Sequence, residues 1–170
     1  MIVVVMGVSG SGKSAVGRAL ADDLGWPFLD ADDFHPPANV AKMASGIPLT
    51  DADRWPWLDT LAAKVRTVSD AQGNVVLACS ALRAAYRDRI AAGARHPGEV
   101  RFVHLKGDRA TIAARLAPRQ HRYMPATLLD SQFATLEEPV DALAIDVRLT
   151  IPEQVARIRA ALSLGNRESA

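Results

Sequence analysis

The sequence predicts an α/β protein built on a parallel sheet with helices on both faces. Three observations carry this reading. Short apolar runs rich in β-branched residues recur along the chain, the first being IVVVM at Ile2–Met6. Stretches with helical spacing of apolar residues lie between them, as at Val16, Leu20 and Leu24. A glycine-rich turn joins the first run to the first such stretch. Strands without polar alternation are covered on both sides, and alternation with helices makes them parallel.

The elements follow in order. Ile2–Met6 is a buried strand, and Lys13–Leu24 a helix with Gly25 placed just past its end. Pro27–Asp30 is a short second strand. Asn39–Ala44 supplies one or two helical turns and Ala52–Ser69 a longer helix. Val75–Cys79 is the third strand, Ala81–Ala92 a helix and Arg101–Leu105 the fourth strand. Asp108 is an N-cap for a helix over Arg109–Leu116. Pro125–Leu136 reads as helix and Leu143–Val147 as strand five. Pro152 stands where the first position of a last helix falls, with Gly165 beyond its end. Sheets of this kind bind ligands at the carboxyl ends of their strands. Asp30, Cys79, Ser80 and the residues after Met6 all fall there.

Bulk properties narrow the class. The 170 residues suit one domain over 1–170, with no linker, repeat or low-complexity tract to divide it. A net charge of +1 gives no whole-molecule field that would draw nucleic acid or a membrane. The one cysteine, Cys79, forms no disulfide within the chain and suits a reducing cytoplasm. The first apolar run has no basic leader and is too short for a signal sequence or a span. The oligomeric state, a homodimer included, stays open.

The stretch GVSGSGKS matches G-x-x-x-x-G-K-[ST] in full, between a strand and a helix. Glycines at 7, 10 and 12 let the backbone turn tightly and aim N–H groups at phosphate oxygens. The following helix adds its positive N-terminal end. The nucleotide site is thus expected at Gly7, Val8, Ser9, Gly10, Ser11, Gly12, Lys13, Ser14 and Ala15. Lys13 supplies a cation to the β- and γ-phosphates, and Ser14 a hydroxyl to Mg²⁺.

A phosphate loop implies a nucleotide and leaves the reaction open. Three readings compete: a small-molecule kinase, a GTPase-type switch, and a motor or other non-catalytic NTP-binding module. A switch needs N-K-x-D, which is absent from the sequence. A motor ends its third strand on a Mg²⁺-holding Asp, where this chain has Cys79 and Ser80. Asp30 and Asp32, after the second strand, offer the missing carboxylate.

At this point the residues carry a resemblance. MGVSGSGKSAVG, FLDADDFHPPANVAKMASGIPLTDADRWPWL, CSALRAAYRDRI, HLKGD and LLDSQFATLEEP together resemble the gluconate kinase (gluconokinase) family, over residues 3–147. The second block is the specific one. The resemblance implies a P-loop NTPase fold akin to shikimate kinase and the nucleoside monophosphate kinases. It implies a five-stranded parallel sheet, a mobile substrate-binding segment near 31–70 and a lid near 117–126. The implied reaction consumes ATP and D-gluconate and yields ADP and 6-phospho-D-gluconate; shikimate or another small hydroxy acid is the alternative acceptor. The family shows a Gly-His-aromatic run at the lid, whereas this chain has RQHRYMP, so His121 and Arg122 receive no role.

Candidate roles follow. Asp30 holds a water of the Mg²⁺ shell, with Ser14 as the other metal-side residue. Asp32, two residues on in an extended segment, accepts or orients the acceptor hydroxyl, against the plainer reading of an acidic turn. Asp33 is solvated. The acceptor's carboxylate needs a cation, and the candidates are His35, Lys42, Arg54, Arg83 and Arg87. Arg54 leads, because a guanidinium grips a carboxylate bidentately; its rival reading is a salt bridge to Asp51 or Asp53. Arg83 and Arg87 are one turn apart on a helix face. Trp55 and Trp57 read as core packing and Cys79 as a small apolar core residue. Residues 109–129 carry Arg109, Arg115, Arg119, His121 and Arg122 with no acidic residue, which fits a lid over ATP. Arg119 then acts on the transferring phosphoryl and Arg115 stacks on adenine.

Overall fold

A computed structural model describes residues 1–117 and 126–165. Five strands form one sheet in the order β2-β3-β1-β4-β5, and every pairing is parallel. In chain order the elements are β1 (Ile2–Met6), α1 (Lys13–Leu24), β2 (Phe28–Asp30), a 3₁₀ turn (Ala31–Phe34), α2 (Pro37–Ala44) and α3 (Asp51–Asp70). Then come β3 (Val75–Ala78), α4 (Ala84–Ala91), β4 (Val100–Lys106), α5 (Arg109–Leu116), α6 (Ala126–Thr135), β5 (Leu143–Asp146) and α7 (Ile151–Ala161).

The central strand explains why the apolar runs lack alternation. Val3 and Val5 of β1 face one layer, packing with Val16 and Leu20 of α1, Ile112 of α5, Leu129 of α6 and Ile158 of α7. Ile2, Val4 and Met6 face the other, against Trp57, Leu58 and Leu61 of α3 and Ile90 of α4. Successive side chains of a strand point to opposite faces, so a strand buried on both must be apolar throughout. Cys79 lies in the second layer, and burial pushes its thiol up to about 12, which makes it inert. The winding reverses at β1, which lies between β3 and β4 with the phosphate loop at its carboxyl end.

Helix ends follow local chemistry. Gly25 takes φ 68° and its N–H returns to the carbonyls of Ala21 and Asp22, closing α1. Asp108 caps α5 by accepting from the Thr111 N–H at 2.8 Å. Thr50 with Asp53, and Thr150 with Glu153, form reciprocal capping boxes for α3 and α7.

Three expectations need correction. The α7 box starts the helix at Ile151, so Pro152 takes its second position, not its first; the helix closes through Ser163 at φ 53°, and Gly165 does lie beyond its end. α4 begins at Ala84, not Ala81, because Ala81 adopts φ 44° and Arg83 is extended. The carbonyls of Ala81 and Leu82 accept instead from the Arg87 guanidinium, at 3.0 and 3.2 Å. Trp55 is not core: it is 38% exposed and meets the Tyr86 ring edge-on at 5.9 Å, whereas Trp57 is 2% exposed. Two positions apart on a helix means about 200° of rotation, so both rings cannot face one layer.

Candidate active site

The loop after β1 turns on glycines that no other residue replaces easily. Gly7 has φ 145°, and a Cβ there would lie 2.9 Å from the Leu105 carbonyl oxygen. Gly10 has φ 81°, and its Cβ would meet Leu116 Cγ at 2.7 Å. Gly12, at φ 98°, leads into α1. The loop is thus drawn tightly over the end of the sheet, with Ser11 wholly buried and its N–H bonded to the Val8 carbonyl at 3.2 Å.

Lys13 curls over the loop and donates to the Val8 carbonyl at 3.1 Å. Burial lowers its pKa, and the charges of Asp32 and Asp30 pull it back up. Both carboxylates therefore face the lysine that the phosphates would meet. Ser14 Oγ donates to Asp30 Oδ2 at 2.7 Å, and Asp30 Oδ1 accepts from the Asp32 N–H at 3.2 Å. A hydroxyl and a carboxylate side by side form a hard-oxygen pair, the donor chemistry that suits Mg²⁺. Among the described residues no three acidic, His or Cys side chains gather to enclose a metal. The pair thus fits a Mg²⁺ that draws its remaining ligands from water and phosphate.

The segment after Asp30 is not extended, as the sequence reading had it, but a 3₁₀ turn. Its capping by the Asp30 carboxylate bends the chain at once. Asp32 nonetheless acts electrostatically on Lys13, and its Oδ1 stands 3.8 Å from His35 Nε2. Trp57 anchors this turn from α3 by donating to the Ala31 carbonyl at 2.7 Å. His35 stacks on Trp57 with ring centroids 4.2 Å apart. Its Nδ1 meets Asn39 Nδ2 at 3.3 Å, and its Nε2 lies 3.8 Å from Asp32 Oδ1. With Nδ1 accepting from the amide, the ring proton sits on Nε2, facing Asp32. Burial lowers the His35 pKa against the pull of Asp32.

The cations proposed for the acceptor's carboxylate separate into two groups. Lys42 is taken by Asp53, at 2.7 and 2.8 Å. With Thr50 that contact holds the Asp53 carboxyl down at about 2. Arg87 is buried beneath the turn before α4 and donates to backbone carbonyls. Arg54 and Arg83 instead converge on Asp51, at 3.7 and 2.7 Å. Tyr86 donates its hydroxyl to the same carboxylate and receives Arg54 Nη1 at 3.4 Å. This Arg54–Arg83–Tyr86 corner holds the carboxylate of Asp51, one of the two partners that the rival reading gave Arg54; Tyr86 was given no role in the sequence reading.

At the nucleotide end, Arg115 donates to the Val147 carbonyl beside the β5–α7 turn. Arg109 pairs with Asp130 of α6. Gln132 of α6 reaches the phosphate loop and makes two bonds to Ser9, another contact missed in sequence. Arg119, His121 and Arg122 lie outside the described residues.

Known proteins sharpen the picture. The family model described as an AAA domain matches residues 2–139. A probable gluconokinase of Xenopus tropicalis is 44% identical over 93% of this chain and 91% of its own. The gluconokinase of Gluconobacter oxydans is 49% identical over 82% of this chain and 76% of its own. Among solved structures, a gluconokinase from Sinorhizobium meliloti superposes with a TM-score of 0.82 at 43% identity, covering 95% of this chain and 94% of that one. With a complete phosphate loop, a shared fold and identity of this extent along most of its length, the chain belongs to the gluconokinase family of P-loop kinases.

Proposed function

We propose that the chain transfers the γ-phosphoryl group of ATP to the 6-hydroxyl of D-gluconate, giving 6-phospho-D-gluconate and ADP. The observation that carries this is the likeness to gluconokinases over nearly the whole chain, the acceptor-side elements included.

The residues take these parts. The N–H groups of the Gly7–Ser14 loop and the start of α1 cradle the phosphates. Lys13, turned from the Val8 carbonyl to the β- and γ-phosphates, neutralises charge that grows as the phosphoryl leaves. Mg²⁺ would be held by Ser14 directly and Asp30 through water, and when bound it supplies positive charge to the phosphate oxygens. Asp32 accepts the hydrogen bond of the gluconate 6-hydroxyl and aligns its oxygen with phosphorus. His35, fixed by Trp57 and Asn39, presents Nε2 toward the same carboxylate. Arg54 holds the gluconate carboxylate, with Arg83 beside it; an incoming carboxylate takes the place of Asp51 on these guanidinium groups. Arg115, placed at the β5–α7 turn, stacks on adenine, and Arg119 acts on the transferring phosphoryl. A cytoplasmic setting belongs to this reading, supported by a lone buried Cys79 and by the lack of any described helix able to cross a membrane.

ADP release by the purified chain, followed over a panel of sugar acids, shikimate and nucleoside monophosphates, tests the acceptor. Gluconate alone is expected to give turnover; a preference for shikimate or a nucleotide would overturn the reading.

A further inference from the structure

Gln132 lies 123 residues beyond the phosphate loop, yet its side-chain amide is spent wholly on one loop residue. Its Oε1 accepts from the Ser9 N–H at 2.6 Å, and its Nε2 donates to Ser9 Oγ at 3.0 Å. The pairing is bidentate and half-buried, which fixes both the position and the rotation of Ser9. Ser9 stands at the centre of Gly7–Ser14, with Gly10 wedged against Leu116 on its other side. The outer wall of the loop is therefore held by side chains of two different helices, α5 and α6. Two residues past the end of α6 comes Glu137, whose carboxylate accepts the Ala84 N–H at 2.7 Å and whose own N–H reaches the Leu82 carbonyl at 2.8 Å. That turn carries Arg83. The chain through α6 and the residues just after it thus touches both the phosphate loop and the turn that carries Arg83.

We propose that Gln132 is a positioning residue for phosphoryl transfer: it acts through Ser9 to hold the phosphate loop in its nucleotide-binding shape. A loop rich in glycine has many other shapes open to it. Two hydrogen bonds from a packed helix remove those alternatives before the nucleotide arrives, so less order must be imposed on binding. The acceptor side touches Gln132 only through the backbone of α6, so gluconate binding has little part in the effect. Only the turnover readout rests on the kinase reading above.

The test measures binding of a non-hydrolysable ATP analogue with Mg²⁺, without gluconate, together with steady-state kinetics. Gln132→Ala and Gln132→Met are compared, the second keeping side-chain length and packing if the first folds poorly. Loss of two net hydrogen bonds corresponds to analogue binding weaker by about 5–150-fold. The KM for ATP rises and kcat falls, while the KM for gluconate stays near wild type. In a double-mutant cycle with Ser9→Ala, the combined variant loses no more than Gln132→Ala alone, because both act at one contact. Analogue binding within about twofold of wild type in both variants overturns the proposal. So do losses that multiply independently with Ser9→Ala, or a fall in melting temperature with analogue affinity unchanged. If wild type shows no gluconate turnover while the binding losses and the cycle hold, the acceptor assignment fails and the positioning role of Gln132 stands.

Discussion

Asp32 and Asp33 are adjacent, equally charged and both exposed, yet their surroundings differ. Asp32 acts on the charge of Lys13 and stands 3.8 Å from His35 Nε2, whereas Asp33 makes no such contact among the described residues. Asp32→Asn is therefore expected to leave Mg·ATP binding intact and to cut kcat by about 10²–10⁴, in the lower half of that range because phosphoryl transfer is loose. Asp33→Asn should leave kcat near wild type; steady-state kinetics and ATP affinity of both variants decide. Arg54→Ala should raise the gluconate KM far more than the ATP KM and weaken discrimination against neutral polyols. A fall in melting temperature with both KM values unmoved would leave Arg54 as a structural partner of Asp51 and Tyr86 only. The sequence showed the right kinds of residue here but not their partners. Lys42, Arg83 and Arg87 are all cations in segments that read as helix, and the sequence pattern did not tell which would meet Asp53, Asp51 or a bare carbonyl. Arg83 and Asp51 lie 32 residues apart, so only the fold sets that pairing, and Arg87 turns back on its own chain because the turn before α4 leaves carbonyls without helical partners.

At the scale of elements the loop offers the sharpest test. Gly10→Ala places a Cβ 2.7 Å from Leu116 Cγ at a φ of 81°. We expect a loss of about 1–3 kcal/mol in stability, read as the denaturation midpoint, and weaker ATP binding. Leu116→Ala added to Gly10→Ala should recover the steric part of the nucleotide affinity and leave the backbone part. If Gly10→Ala unfolds and binds ATP like wild type, the loop is less tightly packed against α5 than described. The strands, α1 and the loop were legible because each carries its own signal: β-branched runs, a helical stripe and fixed glycine spacing. The start of α4 was not, because residues 81–83 read as helix formers while the Arg87 guanidinium claims the carbonyls of Ala81 and Leu82. The 3₁₀ turn after Asp30 was missed for a like reason: a side chain capping its own backbone competes with the extended form.

For the whole molecule, two buried histidines set an acid limit. Burial lowers the pKa of His35 and of His104 from the ordinary 6.5. His35 faces Asp32, which opposes the shift, and Arg54, which adds to it. His104 faces Glu138 on one side and Lys106 and Arg87 on the other. Both lowered values mean that the unfolded chain takes up protons before the folded chain does. The stability they contribute is complete above about pH 6.5 and is lost as the pH falls through the folded values. Asp53, held at about 2, loses its own contribution only as the pH falls below its ordinary 3.8, well under the pH at which the histidines begin to act. Melting temperature should therefore decline as the pH drops below 6.5. His104→Gln should make the decline shallower; a slope unchanged by that substitution would place its origin elsewhere. The claim on which the whole account turns is that ATP loses its γ-phosphoryl to the primary hydroxyl of gluconate. Proton-coupled phosphorus NMR of the reaction of ATP with D-gluconate tests it most directly. The account predicts one phosphomonoester, split into a triplet by the two protons on its carbon and formed in step with ADP; inorganic phosphate in its place, or a doublet from a secondary carbon, would contradict it.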